Sequence, residues 1–194
     1  MKMKAVFFDK DGVLNKDSGI IWPKLELPYK QVADVISNLR SQGFLIFIIS
    51  NRTEMARGLA TEEEVVKSLL DFKLQIIEQN KEAIIEKIYY CPHHPNATIE
   101  TYRANCSCRK PHSDLLIKAK EEYNICLNKS FMVGDRVSDI IAGNSVGCKT
   151  IQIISNENLV EKLIESNISE EIINSYSSPH YKITHLTQIY EIIS

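Results

Sequence analysis

Short apolar runs alternate along the chain with longer segments in which apolar residues recur every three or four positions. The short runs predict β-strands, and they lie at 4–8, 44–49, 85–90, 130–133 and 149–154. The longer segments have the period of an amphipathic helix, and they lie at 29–42, 61–80, 113–123 and 137–146. The remainder, 157–194, mixes helical patterns with one candidate edge strand at 181–183.

The ends of two helices carry their own signals. Gly43 closes segment 29–42, and Thr61 with Glu64 three positions later forms a capping box at the start of the next helix. Strands that alternate with helices imply right-handed crossovers and a parallel sheet covered by helices on both faces. No repeat or Pro/Gly-rich linker interrupts the pattern. We therefore predict a single doubly wound, Rossmann-like α/β domain over 1–194.

In such sheets the ligand occupies the crevice beyond the carboxyl ends of the strands. Four residues with polar or thiol side chains directly follow predicted strands: Asp9, Ser50, Cys91 and Asp135. The chemistry of the protein is therefore expected where these four positions meet.

Composition narrows the class of protein. With 194 residues, 44% hydrophobic and 25% charged, the chain is typical of a soluble globular domain. A net charge of −2 and a pI near 6.2 indicate no nucleic-acid partner. The longest purely apolar run, 44–49, is too short to span a membrane, and Asp9 and Asp11 interrupt the basic N-terminus before a signal peptide could form. We expect a cytoplasmic monomer without a membrane partner.

Pairs of aspartates mark two strand ends. The first loop reads DKDGVLN, with Asp9 and Asp11, and the fourth reads MVGDRVSD, with Asp135 and Asp139. Aspartates often cap turns and helices, which could explain either pair alone. Two charged pairs that share one crevice are better explained by a cation, and oxygen ligands alone suit Mg²⁺.

The order of these motifs resembles the haloacid dehalogenase superfamily of phosphatases. Residues 9–15 resemble its first motif, Ser50 its second, Lys110 its third and residues 134–139 its fourth. The resemblance implies that Asp9 is the nucleophile that forms an aspartyl-phosphate. It also implies that Asp11 is the general acid and then the general base, and that Ser50 and Lys110 hold the phosphoryl oxygens.

The same resemblance implies a catalytic Mg²⁺. Its ligands would be Asp9, the backbone carbonyl of Asp11, and Asp135. Asp139 would orient the waters of the metal or the ammonium of Lys110. In the alternative interpretation Asp139 is a helical aspartate with no such role.

A second group of ligands lies in the loop 91–108. Cys91 and His93 form one closely spaced pair, and Cys106 and Cys108 form another. Cys₃His is a common structural zinc site, so we predict zinc here, with His94 as the competing fourth ligand. The two remaining cysteines, Cys126 and Cys148, are expected to be small core residues.

The sequence CPHHP followed by C-x-C-R-K-P-H narrows the resemblance to the zinc-bearing branch of the superfamily. That branch contains heptose bisphosphate phosphatases and histidinol phosphatases, and in it the first histidine, here His93, joins the cysteines on zinc. The long interval between His93 and Cys106 resembles the heptose enzymes, as do Tyr89-Tyr90 and Ala56-Arg57-Gly58. The zinc loop would deliver Arg109 and Lys110 to the phosphate site.

Four activities follow as hypotheses. The leading one is Mg²⁺-dependent removal of the 7-phosphate from D-glycero-D-manno-heptose 1,7-bisphosphate, in the synthesis of surface-polysaccharide precursors. The alternatives within the enzyme class are a histidinol-phosphate phosphatase and another small sugar-phosphate phosphatase. A polynucleotide 3′-phosphatase is a further alternative, but this chain lacks the basic groove expected of such an enzyme. A zinc-stabilised binding module would leave both aspartate pairs unexplained.

Short intervals between the motifs resemble enzymes without a cap domain, in which loops form the substrate pocket. The resemblance assigns substrate contact to Asp17, Ser18, Gly19, Ile20, Asn51, Arg52, Thr53, Arg109 and Arg136. Arg109 and Arg136 would clamp a second anionic group, as a bisphosphate requires. The chain departs from the heptose enzymes at 51–54, where Asn-Arg-Thr-Glu replaces their usual Asn-Gln-Ser/Thr-Gly, and in a longer segment 156–178.

Overall fold

The computed structural model of the chain describes residues 2–19, 21–23, 26–154 and 169–193. Six strands alternate with helices, as the hydrophobic pattern predicts. They are β1 (Lys4–Phe8), β2 (Phe44–Asn51), β3 (Lys87–Cys91), β4 (Phe131–Gly134), β5 (Lys149–Ile153) and β6 (Tyr181–Ile183). The helices are α1 (Val32–Ser41), α2 (Glu62–Gln79), α3 (Asp114–Tyr123), α4 (Val137–Ser145), α5 (Glu170–Tyr176) and α6 (Ile189–Ile192).

The strands form one sheet in the order β3-β2-β1-β4-β5-β6, and every pair is parallel. The first strand of the chain is therefore central, with β2 on one side and β4 on the other. The order reverses at β1, so the loops after β1, β2 and β4 open into one crevice. The predicted fold class is confirmed, and the described connections after β1 and β2 hold no inserted cap domain.

Alternate residues of the strands pack into two separate cores. Val6 and Phe8 of β1 face the core formed with α1, the end of α2 and the C-terminal helix, whereas Ala5 and Phe7 face the core formed with α3 and α4. Strands buried on both faces have nearly continuous apolar sequences, which is why β2 is so easily recognised. The capping box at Thr61 and Glu64 is present, so the start of α2 is also as predicted.

Several boundaries differ from the sequence predictions. Helix α1 begins at Val32 rather than at 29, because the chain first turns through a hydrogen bond from the Val32 N–H to the Tyr29 carbonyl. Strand β2 extends through Ser50 and Asn51, which pair with Tyr90 and Cys91 of β3. Ser50 and Cys91 are therefore strand residues, not the first residues after a strand. In the described ranges no helix is both long and apolar enough to cross a membrane.

The structure describes only part of segment 156–178. Residues 169–178 include helix α5, whereas 155–168 lie outside the described residues. The predicted edge strand at 181–183 is confirmed as β6, which pairs with β5.

Candidate active site

Three carboxylates converge at the carboxyl edge of the sheet. Asp9 follows β1, Asp135 follows β4, and Asp139 lies in the first turn of α4. One oxygen from each lies within 4.8 Å of one oxygen from the other two. The two aspartate pairs were predicted to lie close together, and in the structure Asp9, Asp135 and Asp139 do so.

Two glycines make room for this cluster. A Cβ at Gly12 would collide with the carboxylate of Asp135, and a Cβ at Gly134 would collide with the side chain of Asp139. Gly12 also has a positive φ of 86°, which disfavours other residues. The carboxylates therefore lie directly against backbone that carries no side chain.

The ammonium of Lys110 binds two of the three carboxylates. Its Nζ lies 2.5 Å from Asp9 Oδ1 and 2.6 Å from Asp139 Oδ1, and it donates a hydrogen bond of 2.8 Å to the Ile49 carbonyl. Burial by itself would lower the pKa of Lys110, but the charges of Asp139 and Asp9 raise it above its usual value. Lys110 is therefore a fixed cation beside Asp9.

Negative charge remains in excess in this cluster. Burial raises the pKa of Asp135 to about 8, with further contributions from Asp9 and Asp139. Burial also raises the pKa of Asp9 to about 6, against the opposing effect of Lys110. Asp135 Oδ1 is buried and accepts no hydrogen bond from any residue in the described part of the chain. Crowded, partly unpaired carboxylates of this kind fit a divalent cation that prefers oxygen ligands.

Asn51 fixes the backbone of Lys110. Its Nδ2 donates to the Lys110 carbonyl and its Oδ1 accepts from the Lys110 N–H, each at 3.0 Å. Sequence reasoning assigned Asn51 to substrate contact and did not foresee this role. The signal was an amide at the end of β2, which can satisfy both backbone groups of a loop that crosses the sheet edge.

Arg52 lies inside the protein. Its side chain is fully buried, and its guanidinium contacts Asp11, Glu26 and Glu54 at 2.9–3.0 Å. The resemblance assigned Arg52 to substrate contact, and in this structure its side chain instead binds carboxylates inside the protein. Arg52 and Glu54 pair with each other beneath the surface, because a buried guanidinium requires carboxylate partners.

The other predicted substrate contacts are spread along the rim of the crevice. Ser50 and Thr53 are buried at the end of β2 and just beyond it, whereas Ser18 and Gly19 are exposed. Ile20 lies outside the described residues. Asp17 accepts a hydrogen bond of 2.8 Å from the Gly19 N–H.

The two arginines assigned to a second anion differ in setting. Arg136 is exposed and its Nη2 donates to Asp17 Oδ2 at 2.7 Å, which connects the loop after β1 to the loop after β4. Arg109 is half-buried, and its Nη1 donates to the His93 carbonyl at 3.3 Å. Arg136 is therefore bound to the loop after β1, and Arg109 is bound to the segment 91–108 that carries the cysteines.

The predicted thiol ligands also come together. The Sγ atoms of Cys91, Cys106 and Cys108 are 2.9–3.4 Å apart, and His93 Nδ1 lies 3.4 Å from Cys108 Sγ. These separations exceed the roughly 2.05 Å of a disulfide. They are within about 1 Å of the edge of a tetrahedron of sulfurs around zinc, which is about 3.8 Å. The other candidate ligand, His94, instead accepts a hydrogen bond from the Asn96 N–H.

The thiols influence one another strongly. The hydrogen bond between Cys91 and Cys108 lowers the pKa of Cys108 to about 5, and His93 contributes in the same direction. The same hydrogen bond, together with burial, raises the pKa of Cys91. One thiolate held by neutral thiols and an imidazole is the donor set that binds zinc when the remaining protons leave. Cys148 is buried in the core, as expected, whereas Cys126 is only half-buried.

Comparisons with known proteins agree with this geometry. Residues 107–178 match the model of the HAD-hydrolase-like family. The D-glycero-beta-D-manno-heptose-1,7-bisphosphate 7-phosphatase of Escherichia coli O6:H1 is 34% identical over 152 residues, which cover 76% of this chain and 78% of that protein. The enzyme of the same name from Pasteurella multocida is 34% identical over 157 residues, covering 78% and 81%.

A solved structure shares the fold over nearly the whole chain. It is the D,D-heptose 1,7-bisphosphate phosphatase from B. bronchiseptica, complexed with magnesium and phosphate. The TM-score is 0.74 at 20% sequence identity, and the match covers 98% of this chain and 97% of the other.

Proposed function

Because the chain belongs to the haloacid dehalogenase-like phosphatases and is 34% identical to a D-glycero-beta-D-manno-heptose-1,7-bisphosphate 7-phosphatase, we propose that it removes the 7-phosphate of a heptose 1,7-bisphosphate. The observation that carries the proposal is the pairing of Asp9 with Lys110 beside Asp135 and Asp139. Such a site holds a nucleophile and a cation where the charge of a transferring phosphoryl group develops.

The reaction proceeds in two displacements at phosphorus. A carboxylate oxygen of Asp9 attacks, an O–P bond forms, and the P–O bond to the sugar breaks while Asp11 gives its proton to the leaving oxygen. A water molecule then gives a proton to Asp11 and attacks the aspartyl-phosphate. Its oxygen joins phosphorus, the bond to Asp9 breaks, and inorganic phosphate leaves with Asp9 and Asp11 restored.

The residues at the sheet edge fit a resident Mg²⁺. Asp9 and Asp135 would hold it, with the backbone carbonyl of Asp11 as a further ligand. When bound, Mg²⁺ supplies positive charge that screens Asp9 from the phosphoryl oxygens and polarises them. Asp139 already binds Lys110, so its part is to keep that ammonium in place.

Two groups of the chain bind the transferred phosphoryl group. Lys110 Nζ lies next to Asp9 Oδ1, where it can donate to a phosphoryl oxygen as the O–P bond forms. Ser50 lies at the end of β2, beside the strand that leads to Asp9, and its hydroxyl supplies a second donor. Ser50 stands at a strand end, and Lys110 is held by Asn51 and by the Ile49 carbonyl, so both groups require little reorganisation during the reaction.

The distal phosphate needs an anion site away from Asp9. Arg109 directly precedes Lys110, and Arg136 directly follows Asp135, so each guanidinium starts next to a catalytic residue. A phosphate that binds Arg136 would compete with Asp17, which the arginine contacts at present. Two arginines favour a bisphosphate over histidinol phosphate, which has a single phosphate and a cationic amine.

The thiol cluster has a separate purpose. We assign Cys91, His93, Cys106 and Cys108 to one structural Zn²⁺ that closes the loop after β3. Cys108 precedes Arg109 and Lys110 by one and two residues, so order in the loop places both cations.

A substrate screen tests the proposed function. The values of kcat/KM are measured for heptose 1,7-bisphosphate, heptose 7-phosphate and histidinol phosphate, with and without Mg²⁺, and the released phosphate is located by ³¹P NMR. We expect the bisphosphate to be preferred, the 7-phosphate to be released, and Mg²⁺ to be required. A preference for histidinol phosphate would overturn the heptose assignment while leaving the phosphatase chemistry in place.

A further inference from the structure

A second group of charges lies behind Asp11, apart from the cluster of Asp9, Asp135 and Asp139. It contains two cations, Lys10 and Arg52, and two further carboxylates, Glu26 and Glu54. The side chains of Lys10 and Arg52 are 0% exposed. Neither cation has a part in the two displacements described above, so their cost of burial calls for an explanation.

Arg52 joins three carboxylates through the fork of its guanidinium. One nitrogen, Nη1, donates to Asp11 Oδ2 at 3.0 Å. The other, Nη2, lies 3.0 Å from Glu26 Oε1 and 2.9 Å from Glu54 Oε1. Burial by itself would lower the pKa of Arg52, but Glu54, Asp11 and Glu26 raise it, so the arginine stays charged.

The second oxygen of Asp11 is held as well. Asn15 Nδ2 donates to Asp11 Oδ1 at 2.8 Å, and Lys10 Nζ lies 3.2 Å from the same oxygen. A carboxylate with donors on both oxygens has one preferred side-chain rotamer. Asp11 is nevertheless the most exposed of the five charged side chains, at 18%, so it is the member that reaches the crevice.

The network also connects Asp11 to the rest of the fold. Glu26, in the connection between β1 and α1, accepts a hydrogen bond of 2.8 Å from Ser68 of α2 and lies 3.0 Å from Lys10 Nζ. The ammonium of Lys10 also lies 4.3 Å above the ring of Phe72, a core residue of α2. Arg52 is thus connected through Glu26 to helix α2, and its guanidinium in turn holds the carboxylate of Asp11.

We propose that Arg52 is a positioning residue for Asp11: it fixes the carboxylate in the orientation from which a proton reaches the leaving oxygen. The inference rests on the proposed role of Asp11 as general acid.

Loss of Arg52 should act selectively on difficult leaving groups. A sugar alkoxide needs a proton as it departs, whereas a nitrophenolate departs without one. If Arg52 only stabilises the fold, its removal lowers kcat/KM by the same factor for every substrate. If it positions Asp11, the loss grows as the pKa of the leaving group rises.

The test is a series of aryl and alkyl phosphates assayed with Arg52→Gln/Glu54→Gln. This double variant removes one charge of each sign, so the net charge of the network is unchanged. We expect log kcat/KM to fall more steeply with leaving-group pKa than in the wild type, with roughly tenfold extra loss for alkyl over aryl phosphates. Arg52→Lys keeps the charge without the fork, and we expect an intermediate slope.

Two controls make the outcome decisive. Arg40 donates to the Ile84 carbonyl at 3.2 Å and pairs with Glu86 away from the crevice, so Arg40→Gln should lower the melting temperature without changing the slope. Asp11→Asn should steepen the slope most. An unchanged slope in Asp11→Asn would overturn the general-acid role and the inference together. A steeper slope in Asp11→Asn with a wild-type slope in both Arg52 variants would overturn only the inference.

Discussion

The carboxylate cluster and the thiol cluster are assembled in different ways. Asp9, Lys110 and Asp135 are far apart in sequence and meet only because β1 lies between β2 and β4. The three thiols and the imidazole of the other cluster all come from the single segment 91–108. One cluster is a product of the whole sheet, and the other is a product of local spacing.

Their electrostatics differ in the same sense. The carboxylates share a single ammonium and retain excess negative charge, and burial, together with the charges of Asp9 and Asp139, raises the pKa of Asp135 to about 8. Among the thiols, the hydrogen bonds that raise the pKa of Cys91 lower that of Cys108. A site with uncompensated charge is suited to chemistry, whereas a site whose members satisfy one another is suited to holding a loop. The following experiments separate these two roles.

Asp9→Asn should have the largest effect, on activity alone. The amide has the shape of the carboxylate but cannot attack phosphorus, so kcat should fall by roughly 10⁴-fold or more. Zinc content by elemental analysis and the circular dichroism spectrum should match the wild type. A kcat within tenfold of the wild type would remove Asp9 as the nucleophile.

Asp135→Asn should show that the carboxylate cluster is a metal site. The amide is a weaker oxygen ligand, so at limiting Mg²⁺ we expect kcat/KM to fall by roughly 100-fold and to recover in part at high Mg²⁺. The measurement is a Mg²⁺ titration of activity beside the wild type. Asp139→Asn, which loses a contact to Lys110, is the matched variant and should not be rescued by Mg²⁺.

Cys106→Ala or Cys108→Ala should affect both clusters. Loss of one ligand weakens zinc binding and frees the loop, so the melting temperature should fall by about 10 °C and kcat by about tenfold. Cys126→Ala, which removes a thiol outside the cluster, is the control and should retain zinc. A zinc-free variant with full stability and activity would show that the loop is ordered by other contacts.

Arg109→Ala should have the smallest effect, confined to the preference between substrates. Without the guanidinium, the preference for heptose 1,7-bisphosphate over heptose 7-phosphate should fall by about tenfold, because remote binding energy is lost. The value of kcat/KM for p-nitrophenyl phosphate should stay close to that of the wild type. Equal losses on all three substrates would place Arg109 in the maintenance of the loop instead.

Sequence patterns predicted the sheet well because its strands are buried on both faces. Val6, Phe47 and Met132 stand in nearly continuous apolar runs, and the loops between them carry the turn and capping residues that end each element. The thiol cluster was equally accessible, since its ligands are close in sequence.

The surroundings of Asp11 could not be predicted in this way. Whether Arg52 faces solvent or turns inward depends on Glu26, a residue from a segment that shows no motif. The two hydrogen bonds between the Asn51 side chain and the Lys110 backbone likewise depend on how the chain positions a loop 59 residues further along the sequence. Contacts between segments distant in sequence leave no periodic signal, so they emerge only from the folded chain.

The position of β1 has a consequence for how the protein is made. Of the six strands in the described sheet, β1 is synthesised before the other five, yet one of its two edges stays open until β4, at 131–134, has followed it. During synthesis the nascent chain therefore carries an apolar strand with unpaired amides, which is a template for association with other chains. Asp9, the proposed nucleophile, is translated before the residues of β4 and α4 that complete its surroundings.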